Sequence, residues 1–528
     1  MVHGIILTDA NYLGQEFYVT RGNGAHRIAT HLRNNGYNIE VIDFCLRWTV
    51  DEFKEFCIKL VTDKLLFLGV GSNLFFDDSR LDTLIRWFKN TYPNIPIVLG
   101  GNNVTYRNIP NIDYYVDGYA EQSILDLLEV FRGNKSEDEL KWSFNDKKFL
   151  HSNKDYVVSD TSDLRIEYLE SDFINSYDAL GLETSRGCIF KCKFCTYPLL
   201  GKKKLDYLRD PETIKDELQA NYDKWGTTRY IMAEDTFNDS IHKLQAIERS
   251  LSKLPFKIEF VTYARLDLIM AKPESVEILK NIGLRGVHFG IETFSSKAAK
   301  IIGKPTDIEK VKDGLLWWKS LTPNITTNAS MIVGLPEDKT DPWENLEWYK
   351  NSNIDFYTFN PLYLVDINKA VHSSEFSKNY QSYGFVIMSD EEILKEFEID
   401  NKDVNDFAIY KQQGHKNKII YWKNTITGQN YFQLSRLCVE MTKTMRKRRI
   451  PCWSVFDYAS LGYSIDECRT WGWYDVIPHV PVDELKIKAQ EKISAYKRRK
   501  INYDYESYYK SVKKRYPKVF LNQKDNRG

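Results

Sequence analysis

The sequence predicts an α/β protein: an open parallel sheet, then a partial (β/α)6 barrel, then a mainly helical region. Two observations carry this expectation. Short, wholly apolar runs alternate with amphipathic helical stretches, the pattern of parallel strands buried on both faces. The alternation occurs twice, separated by a polar stretch at 133–178. In the first series GIILTDA (4–10), NIEVIDF (38–44), KLLFLGVGSN (64–73), PIVLGGNNV (96–104) and IDYYVDG (112–118) read as strands. Helical patterns lie near 25–35, 50–62, 79–90 and from about 121. Gly71, Gly100, Gly101 and Gly118 close strands, and in open α/β sheets the ligand crevice lies at those carboxyl ends. The polar stretch reads as a linker running over the surface.

The second series comprises LGLETS (180–185), TRYIMAED (228–235), KIEFVTYARLD (257–267), RGVHFGIET (285–293), TTNASMIVGLP (326–336) and DFYTFNPLYL (355–364), with helical patterns at 211–222, 273–281 and 308–319 between them. Six such units favour a partial barrel over a second flat sheet. Beyond about 370 the regularity fades into a region rich in Tyr and Trp, with helical patterns near 390–397, 431–449 and 482–500. The expected divisions are 1–132, the linker 133–178, the barrel 179–369 and a helical C-terminal domain 370–528.

Composition narrows the function classes. The 528 residues are 42% hydrophobic and 28% charged, as in folded chains rather than disordered ones. No apolar run reaches the ~18 residues that span a bilayer, and the N-terminus lacks a basic region before a long apolar core, so no membrane partner and a cytoplasmic location are expected. Eight cysteines in such a chain do not make a disulfide scaffold.

SRGCIFKCKFCTYP places Cys188, Cys192 and Cys195 at C-x3-C-x2-C spacing, just after the first barrel strand. Thiolates crowded in this way bind a soft metal or are redox-active. A structural zinc site wants four ligands, and the nearest other Cys or His residues are His151 and His242. A cubane cluster held by three thiolates leaves one iron open to a small molecule, and is the preferred reading over zinc. Cys45, Cys57, Cys438, Cys452 and Cys468 are scattered and read as structural.

The cysteine motif, with the aromatic Phe194 before its last cysteine and a following βα barrel, resembles the radical S-adenosylmethionine superfamily over roughly 180–365. The resemblance implies a 4Fe–4S cluster on the three cysteines and S-adenosylmethionine (SAM) chelated at the open iron. Reductive cleavage of SAM would give methionine and a 5′-deoxyadenosyl radical, with electrons from a donor such as flavodoxin or ferredoxin. It also implies SAM contacts. In MAEDTFND, Glu234 and Asp235 would meet the methionyl amino group, a rim carboxylate pair being the alternative. In YARLD, Arg265 would pair the SAM carboxylate, or else bind Asp267 or Glu259. Glu292 of FGIET would face the cofactor, or form a rim salt bridge. Val333, Gly334 and Leu335 of VGLPED would pack against adenine, or Val333 and Leu335 serve the core alone.

PIVLGGNNV followed by IDYYVDGYAEQSILDLLE resembles the cobalamin-binding, flavodoxin-like (Rossmann-type) domain that precedes many such enzymes, over roughly 1–132. A corrin would then lie over the strand ends, lined by Thr8, Ser72, Asn73, Gly100, Gly101 and Gly118. The D-x-H-x-x-G lower-ligand motif is absent; His26 and His31 have the wrong spacing and read as helix-packing or surface residues. A degenerate domain that binds no cofactor, or docks substrate, is the alternative.

Together these resemblances imply a cobalamin-dependent radical enzyme that transfers a methyl group to an unactivated carbon or a phosphinate of an unknown substrate. Catalytic side-chain acids or bases are not expected. Rearrangement or cyclisation without methyl transfer is the alternative. A methylthiotransferase would need further N-terminal cysteines, and Cys45 and Cys57 are poorly spaced for them. A metal-stapled nucleic-acid-binding protein is the rival from another class. It draws on residues 486–528, which hold 14 Lys or Arg against 4 Asp or Glu although the whole chain balances at 73 each. Docking of that tail on the protein's own acidic body is the favoured reading.

Overall fold

In the computed structural model, the described residues are 1–9, 19–72, 78–101, 110–140, 142, 149–151, 164–197, 200–201, 208–368, 373–400, 419–444, 451–470 and 482–515. The chain divides into two compact units, 1–175 with 486–528, and 176–485.

The first unit runs β1 (Gly4–Thr8), α1 (Asn23–Asn34), β2 (Ile39–Ile42), α2 (Val50–Leu60), β3 (Phe67–Gly71), α3 (Asp78–Thr91), β4 (Ile97–Gly101), β5 (Tyr114–Asp117), α4 (Glu121–Phe131) and β6 (Phe149–His151). Its parallel sheet has the order β2-β1-β3-β4-β5-β6. Ile6, Phe67, Val98 and Val116 pack under α1 and α4. The helices α2 and α3, whose Phe53 and Phe88 rings lie 6.2 Å apart, cover the other face. The local sequence sets the helix starts: Thr49 and Glu52 form a reciprocal capping box at α2. The strand order reverses between β1 and β3, so the switch point where such sheets bind ligands lies between Thr8 and Gly71.

Two expectations change here. The 133–178 stretch is more than a surface linker, since it supplies β6 and buries Leu164, Ile166 and Tyr168. The alternation in LRIEY turns every second side chain inward. The basic tail groups with the N-terminal unit rather than with 370–485. Helices Val482–Ile501 and Tyr505–Arg515 carry it. Lys500, fully buried, meets Glu40 at 2.8 Å and donates to the Ser171 carbonyl at 3.0 Å. Tyr509 donates to Glu40 at 2.6 Å, and Lys497 reaches Glu52 at 2.8 Å. The tail's charge is thus partly spent on acidic residues of its own unit, as the docking reading expected.

The second unit opens with β7 (Ala179–Leu182), α5 (Pro211–Trp225), β8 (Arg229–Met232), α6 (Ile241–Leu251), β9 (Glu259–Ala264), α7 (Leu266–Ala271), α8 (Ser275–Ile282), β10 (Leu284–Glu292), α9 (Ser296–Ile302), α10 (Ile308–Leu321), β11 (Thr326–Val333), α11 (Pro342–Lys350) and β12 (Phe356–Pro361). The six strands are parallel and neighbour one another in sequence order from β7 to β12. Sequential order with a helical crossover at each step is the topology of an open (β/α)6 barrel. Asp210, Asp307 and Asp341 cap α5, α10 and α11, and Pro211 and Pro342 occupy their first turns.

Side-chain alternation sorts the two faces of this sheet. Phe289 meets Trp318 of α10 at 5.3 Å, Trp318 Nε1 donates to Thr327 Oγ1 at 3.0 Å, and Tyr349 of α11 stacks on Tyr357 at 5.1 Å. Those residues face the helices, so His288 and Asn328, each one position away, face the interior. The C-terminal region of this unit contains helices together with two short antiparallel pairs, Leu364–Val365 with Ile419–Ile420 and Phe385–Ile387 with Trp422–Asn424. Part of it enters the barrel: a Cβ on Gly286 would lie 2.9 Å from Cys452 Cβ, and Trp453 lies 4.9 Å from Tyr263.

Candidate active site

The three cysteines sit on the loop leaving β7, at the carboxyl end of the barrel. Cys188 is buried, while Cys192 and Cys195 are half-buried. A tight turn places the Cys195 amide on the Cys192 carbonyl at 3.0 Å, and the Gly201 amide returns to the Phe190 carbonyl at 3.1 Å. Thr236 Oγ1 approaches Cys188 Sγ at 3.4 Å, and Arg265 Nη1 points to Cys192 Sγ at 3.7 Å. Arg265 is thus a donor that stabilises the Cys192 thiolate, while the Thr236 hydroxyl donates to the Asp235 carbonyl at 2.8 Å. Burial pushes the thiols of Cys188 and Cys195 up, so a cationic centre is needed to hold them ionised.

Among the described residues no three Cys, His, Asp or Glu side chains converge as ligands of a single ion would. Each thiolate on a cubane binds a different iron, so the three sulfurs need not converge on one point. The other five cysteines are buried and none of them forms a disulfide.

The loop faces an acidic rim. Glu234 Oε1 accepts the Thr184 amide at 2.5 Å, while its Oε2 is buried without a hydrogen-bond partner, as is Asp235 Oδ2. Burial raises both acids; for Asp235 repulsion from Glu183 and Glu234 adds to it, giving about 7. Lys243 of α6, fully buried, donates to Ser185 Oγ at 2.7 Å and lies 3.5 Å from Asp239. Glu183 holds Arg186 at 2.7 Å.

Glu292 has φ +73°, which folds its side chain back over β10. A Cβ on Gly290 would overlap its Oε1, so glycine there makes the space. Its nearest cation is Lys304 at 3.8 Å, and burial raises its pKa. Buried carboxylates in excess of their partners are what a bound cation would relieve.

Other expected contacts fall differently. Arg265 is already bidentate on Asp267, at 3.0 and 2.7 Å, with its guanidinium 3.8 Å over the Phe190 ring. Its ion pair is thus the Asp267 alternative, and only Nη1 faces the cysteines. Phe194 is half-buried on the same loop.

Met331 accepts the Tyr349 hydroxyl at 3.5 Å, which puts Val333, two residues on, toward the helix side. Gly334, at φ +92°, lies against the C-terminal segment: a Cβ would come 2.6 Å from Leu434 and 2.9 Å from Trp422. Val333, Gly334 and Leu335 line a cavity of about 480 Å3 together with Trp422, Asn424 and Gln429.

In the first unit, Thr8, Ser72, Gly100, Gly101 and Gly118 all lie at strand carboxyl ends. Thr8 Oγ1 donates to the Gly71 carbonyl at 3.4 Å, and Ser72 Oγ to the Gly100 carbonyl at 3.3 Å. Gly101 and Gly118 have φ of +141° and +78°, and a Cβ on Gly100 would meet nothing within 3.8 Å. At Gly100, Gly101 and Gly118 the strand ends carry no side chain, which lets backbone approach a flat macrocycle. Asn73 lies outside the described residues, as do 10–18, 74–77 and 102–109. His26 is a buried packing residue, with Nε2 3.0 Å from Asp43.

Reading by motif did not single out Thr236, beside Cys188 Sγ at 3.4 Å, or the buried Lys243, which bonds Ser185.

Comparison with known proteins fits this geometry. Residues 182–349 match the Radical SAM superfamily model. An uncharacterized methyltransferase of Pyrococcus horikoshii, PH0819, is 25% identical over 294 residues, 52% of this chain and 62% of the relative. The chain therefore spans less than two thirds of that relative's length. Two solved structures share the fold. TsrM, a radical S-adenosylmethionine methyltransferase of Kitasatospora setae, has a TM-score of 0.55 at 15% identity, over 73% of this chain and 77% of its own. The cobalamin-dependent radical enzyme OxsB has a TM-score of 0.51 at 19% identity, over 66% and 52%.

Proposed function

We propose that this chain is a radical SAM enzyme that uses cobalamin to transfer a methyl group to an unactivated carbon or a phosphinate. The observation that carries the reading is the meeting of the C-x3-C-x2-C loop with buried, underpartnered carboxylates at the carboxyl end of a (β/α)6 barrel. A 4Fe–4S cluster on Cys188, Cys192 and Cys195 would supply an open iron and the electron for homolytic cleavage of SAM. Glu234 and Asp235 hold the methionyl ammonium, which replaces the cation their carboxylates lack. Arg265 donates from Nη1 to the Cys192 thiolate. Glu292 adds a carboxylate above Gly290, and the Val333–Leu335 backbone borders adenine.

The interior of the barrel excludes water from the radical. The glycine edge at the β1/β3 switch point suits a corrin, with Thr8, Ser72, Asn73, Gly100, Gly101 and Gly118 as its contacts. The fold shared with the cobalamin-dependent enzyme OxsB and with TsrM supports a cobalamin-binding reading of this unit. Among the described residues no helix is long and apolar enough to cross a membrane.

The test is anaerobic reconstitution with iron, sulfide and cobalamin, followed by reduction in the presence of SAM and candidate substrate pools. The expected products are 5′-deoxyadenosine and a substrate heavier by one methylene, about 14 mass units. A product of unchanged mass formed together with 5′-deoxyadenosine would replace methyl transfer by rearrangement.

A further inference from the structure

We infer that the inner wall made by β10, β11 and β12 binds an uncharged, hydrogen-bonding group of the substrate, with His288, Ser330 and Thr358 as its polar contacts. Strand register brings the three together. His288 pairs with Tyr263 of β9 and Asn328 of β11; two residues nearer the carboxyl end, Gly290, Ser330 and Thr358 pair across β10, β11 and β12. At the spacing of a parallel sheet the Ser330 backbone lies about 5 Å from Thr358 and about 8 Å from His288. All three point inward, because Phe289, Met331 and Tyr357 beside them face the helices. Exposure shows that this face borders open space. His288, Ser330 and Thr358 are half-buried, as are Ile332 and Asn360 above them, whereas the helix-facing Phe289, Ala329, Met331, Tyr357 and Phe359 are buried. A filled barrel covers its inward side chains, so at this level the interior is hollow. Below, it is closed: Val261 and Asn328 are buried, and a Cβ on Gly286 would lie 2.9 Å from Cys452 Cβ.

The wall offers three open hydrogen-bonding positions. Among the described residues the Ser330 and Thr358 hydroxyls and His288 Nε2 have no hydrogen-bond partner. On the far side of the imidazole the Asn328 amide nitrogen lies 2.8 Å from Nδ1. With the amide donating there, the ring is neutral and its proton sits on Nε2. Asn328 is buried, so ring and tautomer are set before a guest arrives. His288 is thus a donor, and each hydroxyl can donate or accept. Beside them the Tyr263 ring lies 4.8 Å from His288 and 4.9 Å from Trp453, which gives the guest an apolar surface next to its polar contacts.

Charge selects a neutral guest. No lysine, arginine or carboxylate occurs at 288–290, 328–330 or 356–358, so the wall has nothing to balance an ion. The unpartnered oxygens at the rim belong to Glu234 and Asp235 and would repel a phosphate or carboxylate. A cation would meet the Nε2–H donor of His288. A carbonyl or hydroxyl oxygen accepts from that donor, and an N–H or O–H of the same guest donates to Ser330 or Thr358.

This inference rests on the radical-enzyme reading for the chemistry done to the guest, but binding is measured separately. Reconstituted holoenzyme is titrated by equilibrium dialysis with benzamide, benzoate and benzamidine, three probes of one shape and different charge, with and without SAM. Benzamide should bind, the two ions at least about tenfold more weakly, and SAM should leave benzamide in place. The double variant Ser330→Ala/Thr358→Val, which keeps the shape of the wall, and His288→Phe should each weaken benzamide about tenfold at unchanged iron content, and Ser320→Ala on the outer helix α10 should not. Equal or tighter binding of either ion, no binding of any probe, or benzamide binding unchanged in both wall variants would overturn the inference. Displacement of benzamide by SAM would overturn it too, by giving the wall to SAM itself. Should the variants fail to fold, the order of the probes on the unmodified protein and the effect of SAM still decide. Absence of 5′-deoxyadenosine with benzamide bound as expected would instead remove the radical-enzyme reading and leave the site standing.

Discussion

In the N-terminal unit two buried acids have close cationic partners: Glu40 meets Lys500 at 2.8 Å, and Asp43 is held by Arg21 and His26. In the barrel, Glu234 and Asp235 each keep a buried oxygen with no partner, and Glu292 has its nearest cation at 3.8 Å. Both clusters are buried charge, and Asp172 also keeps an unbonded Oδ1, but Glu40 and Asp43 each have a cation in contact whereas Glu234 and Asp235 do not. Desolvation without pairing costs stability and persists where a ligand completes the set. A balanced cluster ties distant segments of one unit together, here residues 40, 172 and 500. An unbalanced one marks where a cation, in this account the SAM ammonium, has yet to arrive.

The comparison predicts opposite signs for similar substitutions. The largest effect belongs to the cysteines: Cys192→Ala should lose iron and reduce SAM cleavage to background, read by iron analysis and 5′-deoxyadenosine. Next, Glu40→Ala should destabilise the protein by about 3–5 kcal/mol, because it leaves Lys500 buried with no carboxylate closer than Asp172 at 3.8 Å and removes the acceptor of Tyr509 and Ser171. Chemical denaturation measures this.

Glu234→Gln keeps the acceptor for the Thr184 amide and removes a buried charge. The SAM-free protein should therefore be unchanged or about 1 kcal/mol more stable, while SAM binds about tenfold or more weakly, read by denaturation and calorimetry. A loss of stability in Glu234→Gln equal to that in Glu40→Ala would erase the distinction between the clusters.

The smallest effect is a pH slope. His288 falls from 6.5 to about 4 on folding, so the unfolded chain binds more protons between those values. Stability from this residue is complete above about pH 6.5 and drains away as pH falls toward 4, by at most about 1.4 kcal/mol per pH unit. His3, lowered to about 4 chiefly by burial, acts in the same direction in the N-terminal unit. His288→Asn should flatten the slope without abolishing it, as denaturation midpoints between pH 4 and 7 would record.

What could be read from sequence follows the range of the forces involved. Strand and helix alternation is local, so the first five of the six N-terminal strands and all six barrel strands lay where the apolar runs placed them, while β6, in the polar stretch, was not foreseen. The cysteine spacing is local as well. Contacts made at a distance were not legible: Lys500 pairs with Glu40 across 460 positions, and Trp453 reaches Tyr263 from nearly 200 residues away. Tyr168 and Ile166 were hidden by charged neighbours in a stretch whose average polarity suggested a linker, although the alternation of LRIEY was there to see. Arg265 shows the limit of a motif, since Asp267, two residues on in the same YARLD, takes two of its nitrogens.

The central claim is that the three-cysteine loop and the acidic rim together cleave SAM. Anaerobic reconstitution followed by reduction with SAM tests it most directly. The account predicts about four irons per chain and 5′-deoxyadenosine that disappears in Cys192→Ala. Stoichiometric zinc with no 5′-deoxyadenosine from the unmodified protein would contradict it.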